Sequence, residues 1–139
     1  MYYMSTKEKQ TLKKGFEFAA NLSDGSIILL DGELAAGKSV FARGVANGLG
    51  VKGDILSPTF TIMNNYDLAS GLTLCHIDAY RIKNIDEAYE AGLEEFIGSS
   101  DTICLIEWSS NIKEFLVGKK TTLIKFEIVD ENTRRIEIT

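Results

Sequence analysis

Residues 27–41 read Ile27-Ile28-Leu29-Leu30-Asp31-Gly32-Glu33-Leu34-Ala35-Ala36-Gly37-Lys38-Ser39-Val40-Phe41. Two patterns stand back to back in this stretch. Ile27 to Leu30 is an unbroken, β-branched-rich apolar run, as in a strand buried on both faces. Val40, Phe41, Val45 and Leu49 recur at helical spacing, up to a stop at Gly48-Leu49-Gly50. Between them Gly32 to Ser39 completes a G-x-x-x-x-G-K-[ST] phosphate-binding signature. Its chemistry needs these residue types in this order. The glycines let the backbone turn tightly and bring N–H groups around phosphate oxygens. Lys38 adds a point charge for terminal phosphates, and the Ser39 hydroxyl offers a hard oxygen to Mg²⁺. A helix opening at Lys38 adds the positive end of its dipole. The bland alternative is a glycine-rich strand–helix turn without a ligand. A buried strand before the motif and an amphipathic helix after it argue against that.

Working outward, Ser5 to Leu22 reads as a helix, with Leu12, Phe16, Ala19 and Ala20 as its apolar face and Ser23-Asp24-Gly25 as its stop. Residues 54–59 read as a loop. Phe60, Ile62, Asn64 and Tyr66 partly alternate with polar neighbours, as in a more exposed strand. Leu72 to Ile77 and Thr102 to Ile106 are further apolar strands, separated by a helix over Ile85 to Phe96 broken at Gly92. Thr121 to Val129 and Arg134 to Ile138 form a closing hairpin around Asp130-Glu131-Asn132. Buried strands alternating with helices give an α/β class. The expected fold is a P-loop NTPase-like sandwich with a mostly parallel central sheet, helices on both faces and a C-terminal antiparallel hairpin, in one domain over residues 1–139.

The composition fits this. In 139 residues, 45% are apolar and 25% charged, with 15 Lys+Arg against 20 Asp+Glu and a net charge of −5. These are globular values, which exclude disordered and fibrous classes. No run approaches a membrane span, and the polar, Lys-bearing start is not laid out as a secretory signal. The acidic balance argues against a broad basic face for nucleic acid, so RNA, if involved, is expected to be held by another protein. Cys75 and Cys104 lie in apolar runs as small buried hydrophobes. With a single histidine and no Cys pair at ligand spacing, a structural zinc site is not expected. The compartment expected is reducing cytosol.

The base reader Asn-Lys-x-Asp of guanine-specific proteins is missing, so adenine is the better guess. Two carboxylates end apolar strands, Asp78 after Leu74-Cys75-His76-Ile77 and Glu107 after Ile103-Cys104-Leu105-Ile106. On that edge of an open α/β sheet either could face the phosphates and support magnesium. Pro58 in Ser57-Pro58-Thr59-Phe60 stiffens a loop that could bring the Thr59 hydroxyl to a γ-phosphate, although an ordinary turn explains it as well. His76 is read as a satisfied core or rim histidine before a catalytic one. Trp108 caps either the site or a packing surface, and Tyr80-Arg81 contacts a phosphate, a partner or solvent.

Taken in series, Gly32 to Ser39, Ser57-Pro58-Thr59-Phe60, His76-Ile77-Asp78-Ala79-Tyr80-Arg81 and Ile106-Glu107-Trp108 resemble the TsaE family, from about Thr11 to Trp108 and more loosely to the C-terminus. The resemblance implies a bacterial P-loop ATPase with weak intrinsic turnover, required for threonylcarbamoyladenosine formation beside the anticodon of tRNA. It implies docking on a TsaB–TsaD pair that uses the threonylcarbamoyl-adenylate made by TsaC, with tRNA engaged indirectly, no membrane, and ATP and Mg²⁺ as cofactors. By position, Lys38, Asp78, Glu107 and Thr59 would be catalytic, and Ser39 and Glu107 would hold the metal. Thr11, Glu33, Leu34, Ala35, Ala36, Gly37, Lys38, Ser39, Val40, Asp78, Trp108 and Arg135 would contact the nucleotide, with Arg134 close behind Arg135. Ala35 stands where the family has a glycine, so no positive φ is expected there. Ser109 replaces a proline, with little consequence expected. Two rivals stay open: a small-molecule kinase, and a nucleotide-gated binding module without turnover.

Overall fold

The apolar run before the phosphate signature forms β2 (Ile27–Gly32), and the chain returns from the signature as α2 (Lys38–Gly48). The other elements, in chain order, are β1 (Tyr2–Ser5), α1 (Glu8–Phe18), β3 (Met63–Asp67), β4 (Thr73–Asp78), α3 (Ile85–Glu90), β5 (Thr102–Glu107), β6 (Thr122–Ile128) and β7 (Arg134–Ile138). Short 3₁₀ segments occupy Ala19–Asn21, Leu93–Glu95 and Ser109–Leu116. This computed structural model describes residues 1–53 and 55–139. Asp54, the first residue of the loop expected over 54–59, lies outside the described residues.

The strands build one seven-stranded sheet in the order β1-β7-β6-β2-β5-β4-β3. Strands β6, β2, β5 and β4 are parallel at its centre. The outer pairings, β1 with β7, β7 with β6 and β3 with β4, are antiparallel. The sheet is therefore mixed, with a parallel centre and antiparallel edges. All six residues of β5 are buried, as a strand covered on both faces requires. On one face Ile28, Leu30, Leu74, Leu105, Ile124 and Ile136 pack under α1 and α2 through Phe41, Ala42 and Val45. On the other, Ile27, Cys75, Ile77, Cys104 and Ile106 meet Ala88, Leu93, Ile97, Ile112 and Phe115. Helices thus cover both faces, and no described helix is long and apolar enough to cross a membrane.

Several expectations need correction. Ser5 ends β1, and the first helix starts only at Glu8. Four residues are too few to show periodicity, and β1 exists because β7 pairs with it, Tyr3 opposite Ile136. Phe60 is 80% exposed and precedes the strand, which begins at Met63. The break expected at Gly92 is present: the helix at Ile85 ends at Glu90, and Gly92 takes φ +79 before the 3₁₀ turn. The face of α1 turned to the core is Thr11 and Gly15, continued by Ala19, whereas Phe16 is 55% exposed.

That shift has a steric cause. A Cβ at Gly15 would strike the Phe41 carbonyl oxygen, and one at Gly44 would strike the Leu12 carbonyl oxygen. Backbone therefore packs on backbone where α1 crosses α2. Large side chains on α1 are forced to the flanks, and the N-terminal turn of α1 is brought over the phosphate loop. Gly44→Ala should destabilise the fold by roughly 1–2 kcal/mol, because overpacking outweighs the helix propensity gained. Urea unfolding measures this; a midpoint above wild type would overturn the packing argument.

Candidate functional site

Parallel pairing sets the site. Asp78 and Glu107 are register partners at the ends of β4 and β5, and Glu107 is in turn the partner of Leu30 on β2. Both carboxylates therefore stand level with each other where β2 runs into the phosphate loop. Period-2 alternation turns Leu74, His76 and Asp78 to one face of β4. Leu74 packs under the helices, so His76 and Asp78 continue that face to the sheet edge.

Lys38 opens α2 and is only 5% exposed. Its ammonium donates to the Gly32 carbonyl at 2.6 Å and lies 4.1 Å from the centre of the Trp108 ring. Burial lowers its pKa below the ordinary 10.5, against the opposing pull of Glu107, Asp78 and Asp31. Gly37, just before it, takes φ +104, where a side chain would be strained. Ala35 takes φ +65, contrary to the expectation that this position needs no positive φ. An alanine there costs about 1 kcal/mol, and the tight turn imposes it. Trp108 (φ +58) and Ile62 (φ +69) are the other left-handed non-glycine residues among those described. Ala35 and Trp108 line the same cavity, where such strain tends to collect, and the Ile62 carbonyl accepts the Asp78 N–H at 2.8 Å. The turn at Trp108 lets its ring cover Lys38 and meet Tyr80, 5.0 Å between centroids.

The carboxylates are held differently. Asp78 accepts the Tyr80 N–H at 3.0 Å and is approached by the Thr59 hydroxyl at 3.5 Å. Thr59 in turn shares a 2.7 Å hydrogen bond with Ser57. Glu107 Oε2 lies 2.7 Å from His76 Nε2, with both side chains buried. The sequence reading of His76 as a satisfied buried histidine agrees with this, but its partner is a site carboxylate.

Two adjoining cavities open here. One of about 530 Å³ is lined by Glu8, Leu34, Ala35, Gly37, Lys38, Ser39, Val40, Thr59, Asp78, Tyr80, Glu107 and Trp108. The other, of about 250 Å³, shares Glu8, Ala35, Gly37 and Val40 and adds Thr6, Lys7, Thr11, Glu131, Asn132 and Arg134. Among the described residues Lys38 is the only cation on the larger one. Thr11 is fixed in the smaller by a 2.7 Å bond to Ser5, whose own hydroxyl donates to the Lys7 carbonyl. Glu33 and Ala36 line neither cavity, and the Ala36 N–H donates to the Glu33 carbonyl at 3.1 Å. Arg135 is also displaced. It pairs with Glu137 and Glu127 and lies over the Tyr2 ring, while Arg134 reaches the Ala35 carbonyl at 3.3 Å. Arg134 shares the face of core residue Ile136, and this alternation was the signal for choosing it. Thr6, Lys7 and Asn132 carried no sequence signal, because the β1–β7 pairing and the hairpin turn bring them there.

Ser39 and Glu107 present a hydroxyl and a carboxylate to one cavity. Among the described residues no three His, Cys, Asp or Glu side chains cluster into an all-protein metal site. The donor set suits Mg²⁺, which takes one or two protein oxygens and completes its shell with phosphates and water.

The profile of the family "Threonylcarbamoyl adenosine biosynthesis protein TsaE" matches residues 5–136. The chain belongs to the TsaE family. A TsaE of Treponema pallidum, named as a tRNA threonylcarbamoyladenosine biosynthesis protein, is 33% identical over 99% of both chains. One of Rickettsia felis with the same name is 37% identical over 94% of this chain and 75% of its own. The crystal structure of Bacillus subtilis YdiB superposes with a TM-score of 0.75 at 28% identity, over 98% of this chain and 82% of that one. The mixed sheet and the helices over it are thus shared with a solved structure.

The lowered Lys38 pKa ties this TsaE site to stability. Below the folded-state value the lysine is charged in both states and carries its full burial cost. Between that value and 10.5 the unfolded chain binds more protons, so stability rises with pH. The stability of Lys38→Met relative to wild type should therefore be greatest near neutrality and fall as pH approaches the ordinary lysine value. Chemical denaturation over that range checks it; a gap that widens with pH would contradict the assignment.

Proposed function

We propose that this chain binds ATP with Mg²⁺ at the phosphate loop and hydrolyses it in the cytoplasm, serving threonylcarbamoyladenosine formation in tRNA by acting on a TsaB–TsaD assembly. The observation that carries the reading is the convergence of Lys38, Ser39, Asp78 and Glu107 on one cavity beside the loop. The names borne by the relatives supply the pathway.

In this reading the triphosphate lies along the loop, with Lys38 turning from the Gly32 carbonyl to the β- and γ-phosphates. The base enters the smaller cavity between Thr11 and Arg134. Ser39 and Glu107 would hold the magnesium ion, which when bound neutralises phosphate charge. Asp78, steadied by the Tyr80 N–H, orients the attacking water, and Thr59 follows the γ-phosphate from the adjoining loop. Positioning and charge stabilisation supply most of the catalysis. Among the described residues no arginine lines the larger cavity. Arg43 is paired with Glu8 at 3.1 Å and Arg81 lies over Phe60. Among the described residues the larger cavity offers no second cation for the transition state, which supports slow turnover and stimulation by partners.

Lys38→Ala should lower turnover by about 10²–10³-fold. Phosphate release from the chain mixed with TsaB and TsaD measures this, and wild-type rates would remove the assignment. Glu107→Ala should weaken Mg²⁺-dependent nucleotide binding more than Asp78→Ala does; the opposite order would exchange their roles. Tight ATP binding without phosphate release, even with partners present, would favour a nucleotide-gated binding module. A phosphorylated nucleoside or metabolite would favour a kinase.

A further inference from the structure

We propose that His76 is the positioning residue for Glu107: it pins one carboxylate oxygen so that the other faces the cation site shared with Ser39. The proposal rests on the Mg²⁺–nucleotide reading above and adds a residue that acts through Glu107.

The two side chains are each 4% exposed, and His76 Nε2 lies 2.7 Å from Glu107 Oε2. A carboxylate only accepts, so the imidazole must place a proton on Nε2, whatever its charge. The strands fix the reach. Asp78 is the register partner of Glu107, and His76 stands two residues earlier on the same face, so the contact runs diagonally across the β4–β5 pair. Asp78 is steadied by a backbone N–H from its own turn. For the Glu107 carboxylate, among the described residues, the imidazole is the one hydrogen-bonding side chain and no lysine or arginine lies within ion-pair distance. Without it, a long side chain with three torsions would lose the anchor that selects its rotamer. His76 also borders a cavity of about 80 Å³ with Ser39, so it adjoins both residues assigned to the cation, Ser39 through this cavity and Glu107 through the hydrogen bond. Hydrogen-bond partners of metal-ligating groups typically govern 10–100-fold in metal affinity.

Two measurements test this. His76 is the sole histidine, so a long-range ¹H–¹⁵N spectrum of the labelled wild-type chain reports one imidazole. Nε2 is expected to carry the proton in the neutral ring; a ring protonated only on Nδ1 overturns the proposal. The second is an Mg²⁺ titration at a saturating, non-hydrolysable ATP analogue, read by nucleotide fluorescence, with thermal unfolding of the same samples as the control for folding. His76→Leu should raise the Mg²⁺ required by about 10–100-fold. His76→Gln, whose amide offers an N–H from a similar reach, should recover most of that loss. Adding His76→Leu to Glu107→Gln should cost little more than Glu107→Gln alone. A wild-type titration curve in His76→Leu, or equal losses in the Leu and Gln variants, overturns the positioning role and leaves the nucleotide reading standing. A wild-type chain whose nucleotide binding ignores Mg²⁺ removes both. Should His76→Leu fail to fold, the tautomer and the Gln variant decide, since a Gln variant with a 10-fold or greater loss also overturns the role.

Discussion

In-register parallel pairing of β2, β5 and β4 is the constraint on which the rest depends. It puts Leu30, Glu107 and Asp78 at one level of the sheet, beside the point where the backbone leaves β2 for the phosphate loop. A slip of one residue in β5 would turn Glu107 to the face now filled by Ile106 and bury an unpaired carboxylate among Ile77 and Ile112. Apolar packing thereby specifies the chemistry. The alternation of Leu105 and Ile106 between the two core layers fixes the register, and the register delivers the acid to the cavity that Lys38 also lines.

A second constraint acts from above. Because Gly15 and Gly44 let α1 and α2 touch backbone to backbone, the start of α1 lies close to the turn at Gly37, and Thr11 comes into contact range of it. The pairing of β1 with β7 ties down the residues before α1 and brings Arg134 to the same cavity. Both ends of the described chain therefore wall the smaller cavity, while the centre of the chain builds the larger.

What was legible in the sequence follows from how local each signal is. The buried strands, the phosphate signature and the C-terminal hairpin announce themselves within ten or so residues, and the structure has them within a residue or two. Strand β1 and the true core face of α1 were not legible, because their cause lies in partners far along the chain, β7 for one and Phe41 for the other. Arg135 was chosen over Arg134 although Ile136 and Ile138 already marked the inward parity of β7. Ala35 misled for a different reason. A missing glycine suggested relaxed backbone, yet the turn between Gly32 and Gly37 demands a left-handed residue, and the small alanine side chain tolerates it at modest cost. His76 was seen as buried and satisfied, but only the diagonal across β4 and β5 identifies what satisfies it.

The charge balance of the larger cavity bears on how the proposed ligands would enter. Asp78 and Glu107 face one lysine, and the whole chain is acidic, so a bare triphosphate would meet net repulsion at the floor of the site. The loop N–H groups and the α2 dipole offset part of this. A divalent cation brought in with the nucleotide would change the sign: Glu107 becomes an attraction, and Lys38 is relieved of serving every anion in the cavity. Nucleotide and metal affinity should then be strongly coupled, each weak without the other. In that coupling Glu107 gains most from being held in one orientation, because a carboxylate free to rotate toward Lys38 would satisfy the lysine and abandon the cation.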